Sequence, residues 1–182
     1  MKNVKNLKMY KKVLIVVDMV NGFVREGALA DKHIEGTIAN QVALIKQYKE
    51  EGNLVIFIKD THTMDSVEHD RFGGAVHCIE GTKEAELVEE LKPFENTENT
   101  ITLEKNSTSY IWAENKSDGY NFVDVLNGLE NVEEIEVVGC CTDICVTNGV
   151  LPMMNYFEKK NRRVGKGIRK DSKKIKFEKN SY

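Results

Sequence analysis

Three of the chain's four cysteines fall within the thirteen residues VVGCCTDICVTNG, positions 137 to 149. Such a cluster can grip a metal, form a redox pair, pack a core or supply a nucleophile. Cys140, Cys141 and Cys145 form neither a CxxC pair nor two matched pairs, so the spacing gives little support to a zinc site and none to a dithiol redox motif. Cys145 is the candidate nucleophile. Thr142 or Asp143 is a natural N-cap after the preceding apolar run, which puts Cys145 in a first helical turn, where the backbone's partial positive charge favours a thiolate. The plain alternative is a small buried side chain, and only partners decide between the two.

Two partners end other apolar runs. Asp18 closes VLIVVD, where a carboxylate after five apolar residues is costly unless paired or solvated. Lys105 closes TITLEK. Singly, they read as a turn aspartate and a surface lysine. Together, a thiol, a carboxylate and an ammonium on one rim make a nucleophile, a base and a charge partner.

A second constellation lies in KDTHTMDSVEHDRFGGAVHCIEGT, residues 59 to 82. Asp60 and His62 stand two apart at a strand end and so share a face, and His77 returns after a glycine-containing loop. One carboxylate and two imidazoles suit a divalent transition metal with positions left for water or substrate. Glu68 or His69 would complete the shell. A surface loop with incidental histidines is the competing reading.

The elements that must position these groups follow from the hydrophobic pattern. VLIVVD (13 to 18), LVIFIKD (54 to 60), TITLEK (100 to 105) and IEVVGC (135 to 140) are apolar runs of strand length. Helical spacing appears at 34 to 50 through Ile34, Ile38, Val42, Ile45 and Tyr48, in EAELVEELKPF through Leu87 and Leu91, in NFVDVLNGL, and after Cys145. Continuously apolar strands alternating with helices predict parallel βαβ units: a three-layer α/β/α sandwich with a mostly parallel sheet. In such sheets ligands sit beyond the carboxyl ends of the strands. Asp18, Asp60, Lys105 and the Gly139 to Thr142 turn are all at such ends.

The 182 residues, 41% hydrophobic and 30% charged, read as one domain over 1–182 with a sizeable core. Absence of an export signal or membrane-length apolar run predicts a cytoplasmic protein that engages no membrane and keeps its thiols reduced. A net charge of -3 argues against nucleic acid as a partner, although from Glu158 onward eleven Lys or Arg face three acids. Residues 160–182 are read as an atypical basic, solvated tail.

The chain resembles the isochorismatase-like cysteine hydrolases, with nicotinamidases nearest. The resemblance rests on VVDMVNGF (16 to 23), KDTH with VHCIEGT (59 to 82), EKNSTS (104 to 109) and VVGCCTDICV (137 to 146), in the family's order. It implies a Rossmann-like sandwich hydrolysing a small-molecule amide, nicotinamide first, through a thioester. Cys145 would be the nucleophile, Asp18 the base and Lys105 the cation. A cis peptide would precede Cys141, and the backbone N–H groups of Cys141 and Cys145 would form an oxyanion hole. Asp60, His62 and His77 would hold a divalent metal, zinc first with iron or manganese as alternatives, and Phe23 would wall the substrate pocket. Cys140 and Cys78 would be buried, and the chain would form a homo-oligomer, as the family often does.

Three segments depart from the family pattern. GGAV lengthens the approach to His77, which counts against Glu68 as a ligand. Pro152 interrupts the helix after Cys145, where proline costs about 3 kcal/mol or kinks the helix. Two glycines interrupt the expected last strand in RRVGKGIRK, which counts against that strand and the C-terminal helix; a sheet without the strand would expose an edge. A catalytically impaired binding protein, or a hydrolase of another small amide or carbamoyl compound, are the rival readings.

Overall fold

The computed structural model describes Val4, residues 7–162 and the backbone of the strand segments 165–170 and 173–176. The elements run β1 (Lys12–Val17), α1 (Asn21–Val24), α2 (Lys32–Glu35), α3 (Ile38–Glu50), β2 (Leu54–Asp60), α4 (Glu68–Arg71), β3 (Thr100–Lys105), β4 (Glu114–Asn115) and β5 (Tyr120–Asn121). They continue with α5 (Phe122–Gly128), β6 (Glu134–Gly139), α6 (Thr147–Lys159), β7 (Gly165–Lys170) and β8 (Lys173–Lys176). One sheet holds the strands in the order β5-β4-β3-β2-β1-β6-β7-β8. β3, β2, β1, β6 and β7 are parallel, and the short β4, β5 and β8 add antiparallel edges.

β1 is central and buried on both faces, which is why its sequence is apolar without alternation. Val13, Ile15 and Val17 join a core beneath α5 and α6 that includes Tyr110, Phe122, Val150 and Phe157. Leu14 and Val16 face the opposite core, with Ile38, Leu44, Ile45 and Tyr48 of α3 and with Leu87 and Leu91. The result is the expected three-layer sandwich. Among the described residues no helix is long and apolar enough to cross a membrane.

Two elements differ from the sequence reading. The helix expected over 34–50 is broken at Gly36–Thr37 into α2 and α3. EAELVEELKPF is not helical: single turns of 3₁₀ helix at Lys83–Ala85 and Lys92–Phe94 flank an irregular stretch that bridges Leu87 to Val20. Leu87 and Leu91 are fully buried all the same, so tertiary burial accounts for the apolar residues that suggested a helix.

The last strand is present. β7 pairs in parallel with β6 from Glu134↔Gly165 to Val137↔Ile168, and β8 folds back on β7. The strand that the two glycines counted against is thus formed over 165–170. The expectation for a C-terminal helix falls on residues 177–182, outside those described.

The chain builds β1, β2 and β3 outward to one side and then returns to place β6 on the other side of β1. Strand order therefore reverses at β1, and the crevice beyond the carboxyl ends of β1 and β6 is where such a sheet binds ligands.

Candidate active site

Four strand ends converge on that crevice. β2 and β3 pair in register with Asp60 opposite Lys105, so the two side chains emerge together although 45 residues separate them. Lys105 Nζ lies 2.5 Å from Asp60 Oδ1, 2.9 Å from Asp18 Oδ2 and 3.8 Å from Cys145 Sγ. Asp18, Lys105 and Cys145 thus share one buried cluster, with Asp60 as a fourth member.

Local backbone geometry makes the approach possible. Gly139 has φ +119°, and a Cβ there would sit 2.0 Å from the Val17 carbonyl oxygen, so only glycine lets the end of β6 lie against the end of β1. The Cys140–Cys141 peptide is cis. Thr142–Val146 then winds as one π-helical turn before α6. The Cys141 carbonyl accepts from the N–H groups of Ile144 and Val146 and passes over that of Cys145. No side-chain cap is made at this turn, contrary to the expected Thr142 or Asp143 N-cap, because the turn starts one residue earlier, at Cys141.

Electrostatics distinguish the four groups. Burial pushes the Asp18 carboxyl up to about 7, with the Lys105 ammonium pulling it down and Asp60 adding to the rise. Burial also acts to raise Asp60, but Lys105 and the two imidazoles outweigh it and hold Asp60 well below the carboxylate range. Lys105 is held firmly protonated: Asp18 and Asp60 overcome the opposing effect of burial. Burial and the Asp18 carboxylate push the Cys145 thiol up, whereas the helix-turn argument from sequence predicts a thiolate. In the resting site the proton belongs on sulfur, with the Asp18 carboxyl beside it.

Behind Asp60 lies the second constellation. His62 Nε2 is 2.8 Å from Asp60 Oδ2 and 3.1 Å from Glu68 Oε2, and His77 Nε2 is 3.4 Å from Asp60 Oδ2. One ligand atom from each of Asp60, His62, Glu68 and His77 lies within 4.8 Å of the others. Glu68 therefore joins the cluster despite the lengthened GGAV loop; its side chain is only 8% exposed. The ring orientations suit a cation. His77 Nδ1 is 2.7 Å from the Ala75 carbonyl, which can only accept, so in the neutral ring Nε2 offers its lone pair to the cluster. His62 Nδ1 lies 2.8 Å from Ser66 Oγ, a hydroxyl that can donate or accept, and its Nε2 faces the two carboxylates. Two imidazoles and two carboxylates, buried and convergent, fit a divalent metal.

Phe23 is half-buried with its ring 5.7 Å from that of His77. Cys78 and Cys140 are buried, and Cys140 donates to the Asp18 carbonyl at 3.0 Å. Cys141 is exposed. The metal-ligand cluster contains no cysteine, which leaves the cysteine-zinc alternative without support. Sequence reasoning missed Ser66, Phe72 and the contact between Asp60 and Lys105. Phe72 stands edge-on to His77 at 5.7 Å. His69 is buried beside His62 and His77, with ring centroids 5.2 and 5.0 Å away, but outside the four-ligand set.

Comparison with known proteins places this geometry in a family. A model described as the isochorismatase domain matches residues 12–156. Nicotinamidase 1 of Arabidopsis thaliana is 33% identical over 140 residues, covering 73% of this chain, which spans only 56% of that relative's length. A nicotinamidase structure from Bacillus subtilis aligns over 89% of this chain and 85% of its own, at 28% identity and TM-score 0.68. N-carbamoylsarcosine amidase from Thermoplasma acidophilum aligns over 93% and 87%, at TM-score 0.70 and 23% identity, a likeness of fold. The chain belongs to the isochorismatase family.

Proposed function

We propose that the protein is a cysteine amidohydrolase that converts nicotinamide to nicotinate and ammonia. The observation that carries this reading is the position of the Lys105 ammonium, within 4 Å of Asp18, Asp60 and the Cys145 sulfur at once. Similarity to nicotinamidases at 33% and 28% identity supports the choice of amide.

The chemistry follows from the charges. Asp18, with its carboxyl raised to about 7, is matched to proton transfer at neutral pH and takes the proton of Cys145 as sulfur attacks the carboxamide carbon. Lys105 offsets the charge that moves between sulfur and carboxylate. The N–H groups of Cys141 and Cys145 receive the oxyanion, and one such donor is worth about 3 kcal/mol of barrier. Collapse breaks the C–N bond, Asp18 returns its proton to the departing nitrogen, and ammonia leaves a thioester. Water then attacks with Asp18 again as base, releasing the acid and restoring the thiol. Asp60, His62, Glu68 and His77 would hold a divalent cation, zinc first; when bound, it supplies a Lewis acid to which a pyridine nitrogen can attach. Phe23 would flank the ring.

Ammonia release from nicotinamide tests the reading. The wild-type protein is expected to turn over, and Cys145→Ala to lose activity by about 10⁴-fold or more. Background release by both proteins would reject it.

A further inference from the structure

The Asp60 carboxylate is shared. Its Oδ1 receives the Lys105 ammonium at 2.5 Å, while its Oδ2 faces His62 Nε2 at 2.8 Å and His77 Nε2 at 3.4 Å. Each function the fold assigns to Asp60 thus uses a different oxygen of one buried group, 1% exposed. We propose that Asp60 is a positioning residue that couples occupancy of the metal cluster to the reactivity of the Cys145 thiol, through Lys105. The inference rests on the reading of Cys145 as nucleophile and of the cluster as a metal site.

The argument is one of competition for a single negative charge. Asp60 makes the shortest of the contacts of Lys105 and takes much of its positive field. A divalent cation held by the cluster would withdraw that charge, so the Lys105 ammonium would act more strongly on its two other neighbours, the Asp18 carboxylate and the Cys145 sulfur. The charged groups acting on that sulfur are Asp18 at the end of β1, Asp60 at the end of β2 and Lys105 at the end of β3. Two are negative and one positive. Neutralising Asp60 removes one of the two negative charges and leaves one of each sign, which lowers the cost of a thiolate. By linkage, a thiolate at Cys145 must in turn tighten metal binding by the same factor.

Alkylation of Cys145 by iodoacetamide, followed on its own peptide by mass spectrometry across pH, reads this coupling without substrate. Saturating manganese added to metal-free wild-type protein is expected to move the midpoint of the pH profile down by about one unit, a rate gain of about tenfold below both midpoints. In the metal-free protein, Asp60→Asn is expected to produce a shift of the same sign, because it removes the same charge. In the His62→Ala/His77→Ala variant manganese is expected to have no effect. An unchanged midpoint on metal addition to wild type, an unchanged metal-free midpoint in Asp60→Asn, or an equal manganese effect in the double variant would each overturn the proposal. The readout is independent of which amide is hydrolysed, so failure on nicotinamide with the shifts intact would reject only the substrate.

Discussion

In the proposed reaction Asp18 is the base, and as a buried carboxylate it works against stability. Its carboxyl, usually near 3.8, is raised to about 7 because burial penalises the charged form more than Lys105 favours it. The native state therefore binds this proton more tightly than the unfolded chain. The resulting stabilisation is complete below about 3.8 and is lost as pH rises through about 7. Asp18→Asn is expected to abolish turnover yet raise the melting midpoint relative to wild type at pH 8, with the difference shrinking toward pH 5. A difference that stays constant across that range would contradict the assignment. For the same reason kcat/KM for the amide should fall on the acid side with a midpoint near 7, and a profile flat down to pH 5 would exclude Asp18 as the base. Asp18 and Lys105 stand out in the sequence because each closes an apolar run, and Cys145 because it follows one at the start of a helical segment. The sequence did not reveal the Asp60–Lys105 contact, since that pair depends on the register of two strands 45 residues apart.

At the scale of elements, the strands were legible and the segments between them less so. Burial on both faces makes β1 and β2 unmistakably apolar, whereas Leu87 and Leu91 mimic helical spacing while lying in an irregular segment. Pro152 shows why a local rule can be overridden. α6 continues through it from Thr147 to Lys159. Proline has no N–H to offer the Asn148 carbonyl four residues back, but Ser109 Oγ donates to that carbonyl at 2.9 Å. The same hydroxyl accepts from Ile111 N–H at 3.4 Å, so the loop that follows Lys105 is fastened to the helix that follows Cys145. Gly149, one residue beyond Asn148, admits the Tyr110 ring at a position where a Cβ would lie 1.9 Å from it. Ser109→Ala should therefore destabilise the wild type by about 1 kcal/mol, by leaving that carbonyl without a donor. In a Pro152→Ala background residue 152 supplies its own N–H, and the cost of Ser109→Ala should largely vanish. Urea denaturation of the four proteins measures the coupling, and strictly additive effects would show that Ser109 does not substitute for the missing amide.

For the whole molecule, the sheet's order decides where chemistry can occur, and its edge decides how long the site lasts. Asp18 and Cys145 meet because β1 and β6 are neighbours across the reversal of strand order, whereas the alternation of strands and helices indicates only that the site lies at the carboxyl ends of the strands. Gly165 and Gly167 weaken a strand, and without that strand the outer side of β6 would be exposed. In the structure backbone pairing along Glu134–Val137 with 165–168 covers it, and a ladder needs no side chain to satisfy its amides. β6 leads directly into the Gly139–Cys145 turn, so stripping its partner should loosen the nucleophile as well as the sheet. A chain ended after Arg162 is expected to melt at a lower temperature, to associate through the unpaired β6 edge on size-exclusion chromatography, and to alkylate its buried cysteines faster than the full chain. If the truncated protein stays the same size, melts at the same midpoint and protects Cys140 equally, then β7 contributes nothing to holding β6, and the turn that carries Cys145 is supported by β1 and α6 alone.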